Sequence, residues 1–257
     1  MKDLAFFCSH KEYFMITAHR GASFEFPENT FLSMEKAVEA GADMIEFDLR
    51  GTNENIPILL HDKTIDRTSN GQGEPENYSL SELKKFNFSY YLQGARRTAP
   101  ICEALPIPTF EEILEAFHNK VCMNIQVYAK NEETLRNICK LYKKYDMYGK
   151  GYFTITPDVI ENVRAIDPEI ELCTTRGWET RSTPENLHIC KGSDHCRFVQ
   201  PIKEHTSEEA YKLIKDLGMR SNTFFTDDPE EMLALKEKGA MGILTNKAHL
   251  MCAARPE

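Results

Sequence analysis

Five side chains in the first quarter of the chain have the types and spacing to do chemistry together. Glu46 and Asp48 lie two apart in the apolar run Met44 to Leu49, and the period of two in an extended segment puts both carboxylates on one face. Facing the interior of a barrel, two unpaired carboxylates would repel and lose hydration. Such a pair calls for a divalent cation with oxygen ligands or for basic neighbours; an outward face salt-bridged to a helix is the bland alternative. His19-Arg20-Gly21 directly follows the run Met15 to Ala18, and His61-Asp62 ends the run Ile56 to Leu60. Taken singly, each histidine reads as an ordinary strand-end or turn residue. Taken together, two imidazoles, a guanidinium and a carboxylate pair suit phosphoryl transfer on a small diester. The cation and Arg20 neutralise phosphate oxygens while one histidine takes a proton and the other gives one.

These residues converge only if the elements carrying them do. Short β-type runs alternate with helical patterns: Met15 to Ala18, Met44 to Leu49, Val121 to Val127, Gly151 to Ile155, Ile170 to Thr174, Arg197 to Pro201, Arg220 to Phe225 and Gly242 to Thr245. Eight such runs in 257 residues predict an α/β fold, a TIM (β/α)8 barrel forming a single domain over 1–257. Its working face lies at the carboxyl ends of the strands, where His19 and His61 fall. Helices are expected at Phe31 to Glu39 behind an Asn29 or Thr30 cap, and after the capping box of Thr109 with Glu112. Others are expected over Glu132 to Lys144, Asp158 to Ile166, Ser207 to Leu217 and Pro229 to Lys238. The stretch from Arg50 to Leu105 breaks the alternation. Its short link Gly51 to Asn55 cannot make a parallel crossover, so an antiparallel hairpin and a small inserted lobe at about 50–105 are expected after the second strand.

Composition narrows the function classes. Lys and Arg total 31 against 40 Asp and Glu, a net charge of −9, which excludes a general nucleic-acid binder. No apolar run approaches the ~18 residues of a membrane span, so stable membrane insertion is not expected. The first ten residues lack the pattern of a signal peptide, and eight scattered cysteines without a C-x-x-C fit reduced, packed thiols. A cytoplasmic location is the expectation, and nothing marks an oligomeric state.

At this point the ordered motifs resemble the glycerophosphodiester phosphodiesterase family. They are His19-Arg20-Gly21-Ala22 with Pro27-Glu28-Asn29-Thr30, Gly41 through Asp48, and His61-Asp62 with Arg67-Thr68. Pro106 to Glu112, Asp228 to Met232 and Gly242 to Thr245 extend them. The resemblance runs from about His19 to about Leu250. It implies metal-dependent hydrolysis of glycerophosphodiesters to glycerol 3-phosphate and an alcohol, with Mg2+ or Ca2+ as cofactor. A glycerol hydroxyl would attack phosphorus and water would open the cyclic product. Carried over by position, His19 and His61 are the acid/base pair, Arg20 the phosphate clamp, Glu46 and Asp48 metal ligands, and Glu28 and Asn29 supporting or capping residues. Phe224 stands where the family has an aromatic wall, usually Trp.

The third strand departs from the family. Where a Glu and a Lys are usual, this chain has Gln126 and Tyr128. Gln126 can ligate a metal but is neutral, and Tyr128 meets phosphate with a hydroxyl rather than a cation. Weaker metal binding or altered substrate choice is expected; the alternatives are a weakened or inactive phosphoester-binding barrel, or a lysophospholipid or sphingolipid phosphodiesterase. Three other features have chemistry of their own. His188, Cys190, His195 and Cys196 offer zinc donors but match no common spacing, so packed thiols in a loop are the expectation. Gly71-Gln72-Gly73 opens no helix and is no dinucleotide site. The aromatics Phe86 to Tyr91 are either the lobe's own core or a receiver for the leaving group.

Overall fold

Each apolar run becomes a strand because its residues alternate between two faces that are both buried, one toward the barrel axis and one toward the helices. In the computed structural model, which describes residues 2–256, β1 (Met15–His19) pairs in parallel with β2 (Met44–Gly51), and His19 stands opposite Glu46. The strand β3 (Pro57–Leu59) returns antiparallel along β2, as the short Gly51 to Asn55 link requires. Further along the same connection, β4 (Tyr91–Leu92) and β5 (Ala95–Arg96) form a small hairpin. The parallel ladder resumes with β6 (Cys122–Val127) against β2, Asp48 opposite Gln126, then β7 (Gly151–Ile155) and β8 (Leu172–Thr174). The ring is completed by β9 (Phe198–Val199), β10 (Arg220–Ser221) and β11 (Gly242–Thr245). β9 pairs with β10, Thr223 bridges to Ile243, and β11 returns to β1. Between β8 and β9 the Glu171 side chain accepts the Arg197 amide at 2.9 Å.

The helices are α1 (Leu4–Ser9), α2 (Phe31–Glu39), α3 (Leu80–Leu83), α4 (Phe110–Phe117) and α5 (Glu132–Lys144), then α6 (Ile160–Ile166), α7 (Pro184–Gly192), α8 (Glu208–Asp216), α9 (Pro229–Glu237) and α10 (Ala248–Ala253). Their starts follow side-chain chemistry. Thr30 caps α2, Thr109 and Glu112 form the box of α4, and Asp228 before Pro229 caps α9. In α5 the buried Leu135, Ile138, Cys139 and Tyr142 recur at helical spacing. Four helices lie outside the expected set. α3 has four residues and α1 and α10 have six each, and α7 buries only Leu187 and Cys190, so its apolar stripe is faint; the Thr183 cap and Pro184 at its first position are its local signals.

Inside the barrel the side chains form layers. The floor is Met15, Met44, Cys122, Tyr152, Cys173 and Phe198, closed from below by Leu4 and Phe7 of α1. Above it, the Thr154 hydroxyl donates to Asn124 (2.5 Å) and the Asn222 amide donates to the Tyr152 hydroxyl (3.0 Å). Glu46 of β2 is level with Asn124 in the ladder, and Asp48 lies two residues further toward the mouth. The lobe between β3 and α4 has its own core of Ile58, Leu60, Ile65, Leu83, Phe88 and Ile107, with Phe86 packed on it.

Arg220 joins the floor to the N-terminal helix. Its side chain is fully buried, and its guanidinium donates to the carbonyls of Phe7 (2.6 Å), His10 (3.1 Å), Met241 (2.8 Å) and Tyr13. Two of these carbonyls lie at the C-terminal end of α1. Replacing Arg220 by Met leaves the Phe7 and Tyr13 carbonyls without this donor and takes the second donor from His10 and Met241, and a loss of about 3 kcal/mol in urea unfolding is expected.

Candidate active site

β2 ends the polar part of the barrel with Glu46 and Asp48, 3% and 1% exposed. Burial first, and the Asp48 charge next, push the Glu46 carboxyl well above the ordinary range. The partners of this pair come from the turn after β1. Arg20, at φ 56°, donates its backbone N–H to Glu46 Oε2 (2.9 Å), and its Nε stands 3.2 Å from Asp48 Oδ2. Gly21 (φ 80°) makes this turn possible, since a Cβ there would stand 2.5 Å from the Ser33 carbonyl carbon. Asn29 grips Asp48 twice, its amide donating to Oδ2 (2.8 Å) and its carbonyl oxygen accepting the Asp48 N–H (3.2 Å). Capping is left to Thr30 alone.

His19 is held from behind. Asp227 accepts the Asn246 amide at 2.8 Å, which turns the Asn246 oxygen toward His19 Nδ1, also 2.8 Å away. That network assigns the proton to Nδ1 and leaves Nε2 with a free lone pair. Burial, with the Arg20 charge, lowers the His19 pKa to about 4, so the ring is neutral at pH 7. Asp227 and Asn246 are not among the site residues that the sequence motifs mark; their sequence signal is a position just past a strand end.

His61 leaves the lobe beside the same mouth. Its Nδ1 meets Asp62 Oδ1 at 2.7 Å, and Arg50 donates to its backbone carbonyl at 2.8 and 3.0 Å. Arg67 ties this histidine to the other: it binds Asp62 (2.5 and 2.9 Å) and grips both oxygens of Glu28 (2.8 Å each). Glu28 in turn holds Arg20 at 3.0 Å. Burial would raise the Asp62 and Glu28 carboxyls, but their bonds to His61 and Arg67, and to Arg67 and Arg20, hold both below the ordinary range. Tyr128 stands edge-on to His61 with ring centroids 5.3 Å apart, under the Arg50 guanidinium.

Phe224 meets His19 edge-on at 5.2 Å, so the expected wall lies against the expected catalytic ring. Trp178, the single tryptophan, extends that wall at 5.5 Å from Phe224. On the other side of His19 opens a cavity of about 330 Å³ lined by Arg20, Glu28, Tyr91, Asp227 and Asn246 among others. The lobe aromatics therefore divide: Phe86 and Phe88 pack in its core, while Tyr91 lies under Arg67 (4.2 Å) at the mouth. A larger groove of about 600 Å³ between α4 and α5 lies away from these groups. The candidate zinc donors do not assemble. His188 and His195 are exposed while Cys190 and Cys196 pack on Thr174, and no group of three His, Cys, Asp or Glu suited to a metal occurs among the described residues.

The donors at the mouth fit a hard cation. Glu46, Asp48 and Gln126, the last opposite Asp48 in the ladder, offer oxygen only. The buried carboxylate pair, with one member pushed toward its protonated form, is the arrangement that a divalent ion relieves.

Fold and site together define a TIM-barrel enzyme whose mouth is built for phosphoester chemistry. Residues 19–250 match the model of the glycerophosphoryl diester phosphodiesterase family. A glycerophosphodiester phosphodiesterase of Caldanaerobacter subterraneus subsp. tengcongensis is 34% identical over 254 residues, covering 88% of this chain and 98% of that protein. One of Bacillus subtilis is 25% identical over 245 residues, covering 90% and 83%. In fold, the chain resembles an Oleispira antarctica phosphodiesterase solved with the product sn-glycerol-3-phosphate (TM-score 0.79, 21% identity, 93% of this chain and 96% of that one). The chain belongs to the glycerophosphoryl diester phosphodiesterase family and is a phosphoric diester hydrolase.

The Arg67 network sets a pH dependence. Carboxyls held below their unfolded values of about 4 contribute stability above that pH and lose it as pH falls. Arg67→Met should cost about 2 kcal/mol at pH 7. In urea unfolding the deficit relative to wild type should shrink below about pH 4.

Proposed function

We propose that the protein hydrolyses glycerophosphodiesters to glycerol 3-phosphate and an alcohol by acid/base exchange between His19 and His61. The supporting observation is the order around the mouth. The carboxylates of β2 lie between His19 on β1 and His61 beside Tyr128 of the β6 end, and each histidine has Nδ1 anchored and Nε2 free. A divalent cation, Mg2+ or Ca2+, on Glu46, Asp48 and Gln126 would supply charge that draws electron density from the phosphoryl oxygens. Arg20 holds the phosphate, with Tyr128 adding a hydroxyl.

In this reading the glycerol lies in the polar cavity beside His19. Neutral His19 takes the proton of the neighbouring glycerol hydroxyl as its oxygen attacks phosphorus. The bond from phosphorus to the leaving alcohol breaks, and His61 protonates that alcohol. Water then opens the cyclic phosphate, with His61 taking its proton and His19 returning one to the glycerol oxygen. Asn246 and Asp62 keep the rings in register through both steps. The site acts in the cytoplasm on a small-molecule substrate.

Release of glycerol 3-phosphate from a panel of diesters, with Mg2+, Ca2+ or chelator, tests this. His19→Ala and His61→Ala should each lower kcat at least about 10²-fold. Near-full rate in His61→Ala, or undiminished release in chelator, ends the assignment. Restoring a carboxylate with Gln126→Glu should tighten Mg2+ or Ca2+ binding about tenfold by calorimetry.

A further inference from the structure

Arg181 lies in the loop after β8, across the barrel from β1 in the strand order. The loop is pinned. Arg176 makes a two-point ion pair with the buried Asp194 (2.8 and 3.1 Å), the Thr180 hydroxyl donates to the Arg176 carbonyl (2.9 Å), and Ser182 bonds Thr206 (2.8 Å). Gly177 turns the chain at φ 73°, where a Cβ would stand 2.5 Å from Thr180 Oγ1. Two side chains are thereby presented at the mouth. Trp178 is 52% exposed, and the Arg181 guanidinium lies 5.3 Å over its ring while Nε donates to the Gly177 carbonyl at 3.2 Å. Through Trp178 and Phe224 the contacts run on to His19.

Arg181 differs from Arg20, Arg67 and Arg176, each of which holds a carboxylate. Among the described residues no ion pair joins Arg181 to a carboxylate, and the titratable groups that act on its charge are Cys173 and Tyr128. Burial pushes the Cys173 thiol up to about 12, and an ordinary phenol is likewise uncharged at pH 7. A desolvated guanidinium without a counter-charge is unfavourable alone and gains strongly when an anion arrives. The Trp178 ring already carries this cation, so it is not a free platform for a quaternary ammonium.

We propose that Arg181, backed by Trp178, binds the leaving alcohol and selects glycerophosphodiesters whose alcohol carries an anionic group. The inference rests on the hydrolytic reading above: phosphate and glycerol occupy the Arg20 side of the mouth, and the alcohol points across it toward β8. Tyr128 lies between the two sides, with the Arg50 guanidinium over its ring.

The test uses three esters of glycerol 3-phosphate that differ in the charge of the alcohol: 3-hydroxypropanoate, 1-butanol and choline. In the wild type, kcat/KM should fall in that order. In Arg181→Gln the ratio of the anionic to the neutral ester should drop about tenfold, chiefly through KM. Arg181→Lys should restore most of it, and Arg181→Glu should favour choline. An unchanged ratio in Arg181→Gln, or an equal loss on all three esters, overturns the proposal. Calorimetry of the same esters with His61→Ala reads the binding order without turnover. Wild-type enzyme that releases nothing from any ester therefore sinks the hydrolytic reading, while a flat binding order sinks only the role of Arg181.

Discussion

Two carboxylates held side by side inside a protein are the constraint around which the mouth is arranged. Glu46 and Asp48 cannot both stay ionised in a buried site without compensation. The turn after β1 supplies part of it: an amide and a guanidinium from Arg20 and a two-point grip from Asn29. That demand explains the left-handed backbone at Arg20 and Asn29 and the glycine at position 21, a strained stretch that a plain strand-to-helix link would avoid. The remaining imbalance is what a cation, in the function proposed, would relieve.

Behind this centre each histidine has an orienting partner of different character. His19 rests on an amide fixed by Asp227, and burial keeps it neutral; His61 rests on a carboxylate that offers a counter-charge when the ring carries a proton. The inserted lobe is joined to the barrel by the same ionic chain, Asp62 to Arg67 to Glu28 to Arg20. The position of the lobe and that of Arg20, the proposed phosphate clamp, are therefore linked through ion pairs.

The β6 end carries no charge of its own. Gln126 places a neutral amide opposite Asp48, and Tyr128 places a ring beside His61. The positive groups nearby come from elsewhere in the chain, with Arg50 over the Tyr128 ring and Arg181 over Trp178 in the loop after β8. Charge at such a mouth is set by the sum over several strand ends.

Much of this was legible in the sequence. The eight strands follow from local apolar runs, and the hairpin after β2 from a link too short to cross over. The pairing of Glu46 with Asp48 follows from the two-residue period. What local patterns cannot carry is which ends meet. Asn246 and Asp227 gain a role only because β11 closes against β1, and Arg220 only because α1 folds under the floor. Trp178 and Arg181 lie in a loop with no periodicity, in front of a helix whose apolar stripe is faint. The amino-acid sequence by itself determined the strands, the carboxylate pair and the family; tertiary structure decided the partners of each charged group, because burial and distance across a closed ring exist only once the ring has closed.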